Sequence, residues 1–571
     1  MAPLNEKKPL LAVVATPTSS KPSAHAGNPQ ENGSFVARRQ HASVEPPVDV
    51  KAEFATLSSI ALQVSLATFV RIGLYSVDYA FLGHLGTAEL AAASLASVWT
   101  TVPLLTCWSG MSAIVTLSGQ AWGAGNGKLA GVWLQMGLML TNVVTIPLLI
   151  YYWFFVEYGM RVSTDDPEVI RLGVRFARIV AFSVWPNLTY VCLRLYFQAL
   201  GIMFPTTIVG TLTMIISIIG NYVFIYGIFG WQGMGFDGSP VSTVVASWFQ
   251  PIALAGYCCW YKRLHERAWG GWDLSEFTSD RLRIYARNSV PASINSLVSN
   301  LASSTLSLIA ASLGADIIAA NAIVSGYWRL MWALFWGFGT GTQIRVSNLM
   351  GANRPEAAKV IAKLGFAATV VCVSILATIT VVMREDVYRV YTNDPDLLAI
   401  CLAILPIFVV AYLIESMEMV MASVLMAMGQ VHVTALTSTI ATWFVELPIA
   451  YLFAVKLGFG FPALWYSIWL MEVIKFTVYL VVLRRTDFAA MARETVKNME
   501  VSEDTDELEI DDEEVVQHAI AEGGRSALGA MSGSLSPVAA TLVTPKGLIQ
   551  QWDRVDEGVH HRAAAHDDSV V

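Results

Sequence analysis

Two stretches of this chain are one stretch written twice. Leu85-Gly86 returns as Leu313-Gly314, Ala91-Ala92 as Ala319-Ala320, and Trp108 as Trp336. Gly123-Ala124 returns as Gly351-Ala352, Asp166-Pro167 as Asp394-Pro395, and Gly201 as Gly429. The offset is 228 residues at every pair, so the copies align without a gap. The repeated unit is almost wholly apolar and long enough for several membrane crossings. A duplicated polytopic chain predicts two related lobes with a site between them, as in secondary transporters.

Only 14% of the 571 residues are charged and 55% are hydrophobic, against about 25% charged in a soluble domain. The deficit lies between residues 54 and 483 and predicts an all-α membrane protein. Apolar segments fall near 54–82, 90–119, 129–155, 169–199, 206–229 and 239–260. Six more fall near 285–312, 318–347, 358–383, 397–427, 434–457 and 462–483. Each is long enough to span a bilayer as a helix. Twelve transmembrane helices thus divide into two pseudo-symmetric six-helix lobes, an N-lobe at 54–260 and a C-lobe at 285–483. An even number per lobe gives both the same orientation, with the symmetry axis along the membrane normal.

The ends are polar. Residues 1–53 are rich in Pro, Ser and Ala, and 484–571 carry an acidic run from Glu503 to Glu514 before a Gly/Ser/Ala-rich stretch. Both are expected to be disordered tails, unable to bury a core. Ser and Ala content would suit a transit peptide, but Glu6, Glu31, Glu45 and Asp49 argue against one. His560, His561 and His566 lie in a solvated tail and imply no metal. The six cysteines, all in or beside apolar segments, have no metal spacing and read as small buried hydrophobes. No basic patch lies on a folded domain, which argues against nucleic acid as a partner.

Basic loop residues set the orientation. Lys262, Arg263, Arg267, Arg281 and Arg283 fall in or beside the inter-lobe loop 261–284. Lys128, Arg345, Arg354, Lys359, Arg484 and Arg485 fall on the same side if both termini are cytosolic. The opposite loops are mainly acidic, with Glu157, Asp165, Asp166 and Glu168 in one and Glu385, Asp386, Asp394 and Asp396 in the other. A multi-pass protein of a plasma or vacuolar membrane follows, expected to be a monomer.

The repeated motifs have a physical basis. LGTAELAAASLA and LGADIIAANAIV open equivalent spans, with glycine at the membrane face and alanines that permit close helix packing. VDYAFLGHLGTAELAAASLA followed by GQAWGAGN resembles the opening of the MATE (multidrug and toxic compound extrusion) transporters. RLYFQALGIMFP and RVSNLMGANRPEAAK resemble further segments of that family, the first with Phe197 in place of Leu. The resemblance covers about residues 54–483. It implies two six-helix lobes around a V-shaped cleft, and export of organic solutes against inward H⁺ or Na⁺; the acidic charges within the spans favour small cationic or neutral drugs or metabolites as those solutes. No further cofactor is implied.

An ionisable residue inside a span is costly and is functional by default. Asp78, late in the first span, matches the aspartate of the family's Val-Asp-x-x-x-x-Gly motif, and its repeat partner is Leu306. The structural alternative is a pair with Arg71. Glu415 and Glu418 share a helix face at i, i+3. The family usually has an acid at the first position and Gln at the second, so Glu418 departs from it. The repeat partner of Glu415 is Asn187, which suggests that this depth faces the cleft in both lobes. Glu446, before Pro448, is a fourth ion-coupling candidate, whereas Glu472 is one turn from Lys475 and is expected to be neutralised by it. Among the aromatics of the spans, Tyr75, Trp185, Tyr412 and Trp443 are candidate cleft residues for a cation.

Two departures bear on the coupling ion. Many eukaryotic members have Glu where this chain has Ser299, and some prokaryotic members have an acid where it has Ile225, four residues after Asn221. There is no nucleotide-binding loop, His-Glu-x-x-His motif or nucleophile elbow. That argues against an ATP-driven pump and against a membrane-embedded enzyme, leaving an organic-anion exporter (for a citrate-like solute) or a lipid-precursor flippase as rivals to cation export.

Overall fold

Inside hydrocarbon a backbone must satisfy its own polar groups, so each apolar stretch becomes a helix. A computed structural model describes residues 48–392 and 394–500. It contains twelve helices long and apolar enough to cross a membrane. The N-lobe comprises α1 Val50–Gly83, α2 Thr87–Gly123, α3 Gly127–Ser163, α4 Pro167–Ala199, α5 Phe204–Tyr226 and α6 Gly235–Tyr261. The C-lobe comprises α7 Ser279–Ala311, α8 Ala315–Gly351, α9 Pro355–Val382, α10 Pro395–Ala427, α11 Val431–Lys456 and α12 Phe461–Arg485.

The stretches expected to be tails contain structure at their inner ends. Helix α1 begins at Val50, because the Asp49 carboxylate accepts from the amides of Lys51 (3.0 Å) and Ala52 (3.2 Å). A further helix, α13 Phe488–Glu500, follows the last span. It forms because Phe488, Ala492 and Met499 are apolar on one face and all are buried. The rest of both tails, including the acidic run and the three histidines, lies outside the described residues.

Prolines break the ladders of several spans, and neighbouring helices repair them. Pro103 leaves the Trp99 carbonyl without its helical donor, and the Tyr151 hydroxyl donates to it at 3.3 Å. Pro186 does the same to Phe182, whose carbonyl accepts from the Trp248 indole at 3.2 Å. In α11 a π-helical stretch, Ala441–Glu446, stands just before Pro448.

The lobes meet at the membrane end that carries Val50, Gly123, Ser279 and Gly351. The Ser65 hydroxyl donates to the Leu334 carbonyl at 2.7 Å, joining α1 to α8. Gln120 Nε2 donates to the Ala427 carbonyl at 2.8 Å, joining α2 to α10. Ser296 donates to the Leu105 carbonyl at 3.3 Å, joining α7 to α2. Arg345 grips Glu53 across the lobes, with Nη2 to Oε1 at 2.6 Å and Nε to Oε2 at 3.2 Å.

The internal repeat is visible in this closure. A Cβ on Gly123 would collide with the carbonyl of Asn348, and a Cβ on Gly351 with that of Gln120. Gly123 and Gly351 are repeat partners, as are Gln120 and Asn348, so the crossing of α2 and α8 is reciprocal. Only glycine permits this backbone approach.

The inter-lobe loop is strapped to the N-lobe at the same end. Lys128 Nζ lies 3.3 Å from Glu276 Oε1, and Arg281 also pairs with Glu276. Burial pushes the Glu276 carboxyl up, but its bonds to Arg281 and Lys128 outweigh this and hold it below the ordinary glutamate value.

Candidate transport site

Helical rise places both groups of buried charge inward of the closed end. Asp78 lies 13 residues past Ser65 on α1, or about 20 Å along the axis at 1.5 Å per residue. Glu418 lies nine residues before Ala427 on α10, or about 14 Å on the same side.

In the N-lobe, three helices converge on Asp78. Asn221 Nδ2, on α5, donates to Asp78 Oδ1 at 2.7 Å and to the Ser217 carbonyl at 2.9 Å. Thr243 Oγ1, on α6, donates to Asp78 Oδ2 at 3.2 Å and has a second acceptor, the Ser239 carbonyl, at the same distance. Each carboxylate oxygen thus has one neutral donor. Arg71, the alternative partner, lies over the Trp108 ring, 4.4 Å from its centroid.

The C-lobe gathers more charge. Glu415 and Glu418 come from α10, Glu446 from the π-helical stretch of α11, and Glu472 and Lys475 from α12. Lys475 Nζ lies 2.9 Å from Glu472 and 3.4 Å from Glu418. The pair expected between Lys475 and Glu472 is therefore present, and Lys475 is shared with α10. Glu446 is buried and has Glu472 and Lys475 as its charged neighbours. Glu415 Oε2 is buried without a hydrogen-bond partner, although Trp328 stands beside the side chain.

Four carboxylates face one ammonium in this cluster. Fully ionised, it would carry three uncompensated negative charges within the membrane domain, which is prohibitive without protons or a bound cation. Among the described residues no three His, Cys, Asp or Glu side chains converge as a metal cage does.

The aromatic candidates fall in different settings. Tyr412 is buried in the C-lobe against Phe335 and Phe408, one turn from Glu415, with its hydroxyl unpartnered. Trp443 is exposed and donates to the Val298 carbonyl at 3.2 Å, closing α11 onto α7. Trp185 donates to Asn142 at 2.9 Å and packs on Trp248, both in the N-lobe. Asn187 is partly buried on α4. Tyr75 is on α1, and its side chain lies outside the described ones.

Sequence reading alone missed Thr243 and Ser217 beside Asp78, and did not place Trp328, one of the span aromatics, beside Glu415. It noted Asn221 for the acid that does not follow it, not for its bond to Asp78. Polar residues on α5 and α6 were the available signal, but their rotation toward α1 is a tertiary fact.

Two six-helix lobes, joined toward one membrane end with charge buried within the spans, define a membrane transporter. The MatE family model matches residues 64–223 and 291–452, once per lobe, and the chain belongs to this family of multidrug and toxin extrusion transporters. It is 26% identical over 433 residues to an uncharacterized transporter of Schizosaccharomyces pombe, covering 75% of this chain and 78% of that one. It is 25% identical over 449 residues to multidrug and toxin extrusion protein 2 of Mus musculus, covering 78% and 77%. A crystal structure of a eukaryotic MATE transporter has the same fold, with a TM-score of 0.71 at 19% identity over 79% of this chain and 99% of the other. The protein is thus an integral multi-pass transporter, not an enzyme.

Proposed function

We propose that this protein is a secondary antiporter that exports organic solutes, cationic or neutral, in exchange for an inward cation. The observation that carries this reading is the C-lobe cluster, in which Glu415, Glu418, Glu446 and Glu472 share one lysine. Such a cluster needs added positive charge, and a cationic substrate and a coupling ion supply the same need. Competition for one negative site is the simplest basis for exchange, because occupancy by one excludes the other. Carboxylates crowded around one ammonium bind protons readily, which favours H⁺ as the coupling ion.

Asp78 is the second coupling group in this reading. Thr243 has two acceptors, Asp78 and the Ser239 carbonyl. When Asp78 takes a proton, its O–H donates to Thr243 and the threonine turns its own proton to Ser239. Protonation would thus reverse the bond between α1 and α6 without leaving a polar group unpaired. Basic residues at the closed end support a cytosolic placement of both termini, so the cleft opens away from the cytosol. Tyr75, Trp185, Tyr412, Trp443 and Asn187 remain the proposed substrate contacts, with Tyr412 favoured by its place beside Glu415.

Efflux of a fluorescent organic cation from proteoliposomes tests this, with a pH gradient and a Na⁺ gradient imposed separately. The reading expects efflux under the pH gradient alone. Efflux of an organic anion, with none of the cation, would favour the anion-exporter alternative.

A further inference from the structure

We propose that a groove between α7 and α11 binds one phospholipid with an anionic headgroup, in the leaflet at the closed end of the lobes. The groove has a volume of about 760 Å³ and is lined by Arg283, Ala286, Arg287, Val290, Pro291 and His432. Arg283 and Arg287 stand four residues apart on one face of α7, and both are exposed. Neither has an ion pair or a side-chain hydrogen bond among the described residues. The ion pair that α7 makes among the described residues, Arg281 with Glu276, lies on a different face.

The face below the arginines is apolar. Val290, Ile294, Leu297 and Leu301 continue along α7 at helical spacing, and each is 39–54% exposed. On α11, His432 is followed by Leu436 and Ile440, 62% and 47% exposed. Trp443 bridges to the Val298 carbonyl at 3.2 Å and closes the seam further in. The groove is therefore polar and cationic at the membrane surface and apolar along the depth that an acyl chain occupies.

This order of surfaces selects an amphiphile. A guanidinium pairs with a phosphate through two parallel hydrogen bonds, and basic pockets between spans near the cytosolic surface take anionic headgroups. A free phosphate would use the arginines but not the apolar stripe. The opposite side of α7 meets α2, where Gly110 abuts Ser293 and Ser296 bonds Leu105. A lipid seated on α7 thus touches a helix that forms the inter-lobe joint.

The test is native mass spectrometry of the full-length protein with phosphatidylglycerol or phosphatidylcholine of identical chains. One phosphatidylglycerol should be retained in preference to phosphatidylcholine. Arg283→Gln with Arg287→Gln should weaken its binding about thirtyfold, while Arg161→Gln at the other membrane end should leave it unchanged. An unaltered melting temperature in the double variant shows that it is folded. Equal retention of both lipids, or phosphatidylglycerol binding that survives the double substitution, overturns the proposal. Displacement of the lipid by millimolar inorganic phosphate would identify a phosphate site and overturn it equally.

Discussion

Asp78→Asn keeps the shape of a side chain and removes its ability to carry a proton on and off. Asn221 can still donate to the amide oxygen and the amide nitrogen can donate to Thr243 Oγ1, so the fold survives and the melting temperature should stay within about 2 °C. Ion-driven exchange should nevertheless fall to background in proteoliposomes, and normal exchange would remove Asp78 from the mechanism. Lys475→Met should behave in the opposite way. It strands Glu418 and Glu472 beside each other, and breaking a buried pair costs about 3–5 kcal/mol. A clear fall in melting temperature is expected, largely restored when Glu418→Gln and Glu472→Gln are added. Full stability of Lys475→Met would show that the lysine does not compensate the cluster. Asp78, Glu415, Glu418 and Glu446 were legible in the sequence because a charge in an apolar span has no cheap explanation. Thr243, Trp328 and the bond from Lys475 to Glu418 were not, since each joins helices far apart in the chain. Which face of α5, α6 or α12 turns inward is decided by packing, and near-uniform hydrophobicity erases the periodicity that would reveal it.

At the scale of elements, the repeat and the spans were legible because bilayer thickness dictates their length. Their corners were legible too, as Gly123 and Gly351 return at the same offset. The reciprocal contact these glycines make was not, because a small residue signals close approach without naming the partner. Gly123→Val would place a side chain on the Asn348 carbonyl. It should cost about 1–3 kcal/mol and lower the melting temperature by several degrees. Gly210→Ala, where nothing lies within 4 Å, serves as the comparison and should not. Equal stability of the two variants would mean that the α2–α8 crossing is looser than described. The start of α13 was misread as tail because its apolar face, Phe488, Ala492 and Met499, is sparse and follows two arginines. The π-helical stretch that carries Glu446 was hinted at only by Pro448.

At the scale of the whole molecule, one end is sealed by Arg345–Glu53, Gln120–Ala427 and the glycine crossing, while the acidic groups lie further in. Alternating access requires that seal to open, so its bonds must be individually modest. Glu53→Gln keeps the hydrogen-bonding shape and removes the ion pair. It should raise labelling of a cysteine placed at Thr116 by a maleimide applied from the closed end. Unchanged labelling would locate the gate elsewhere. The central claim is that the C-lobe cluster exchanges protons for substrate. The most direct measurement is proton release on adding an organic cation to the purified protein in weakly buffered solution. The account predicts release that saturates with substrate and is lost in Glu415→Gln. Saturable binding with no proton released, in the unaltered protein, would contradict it.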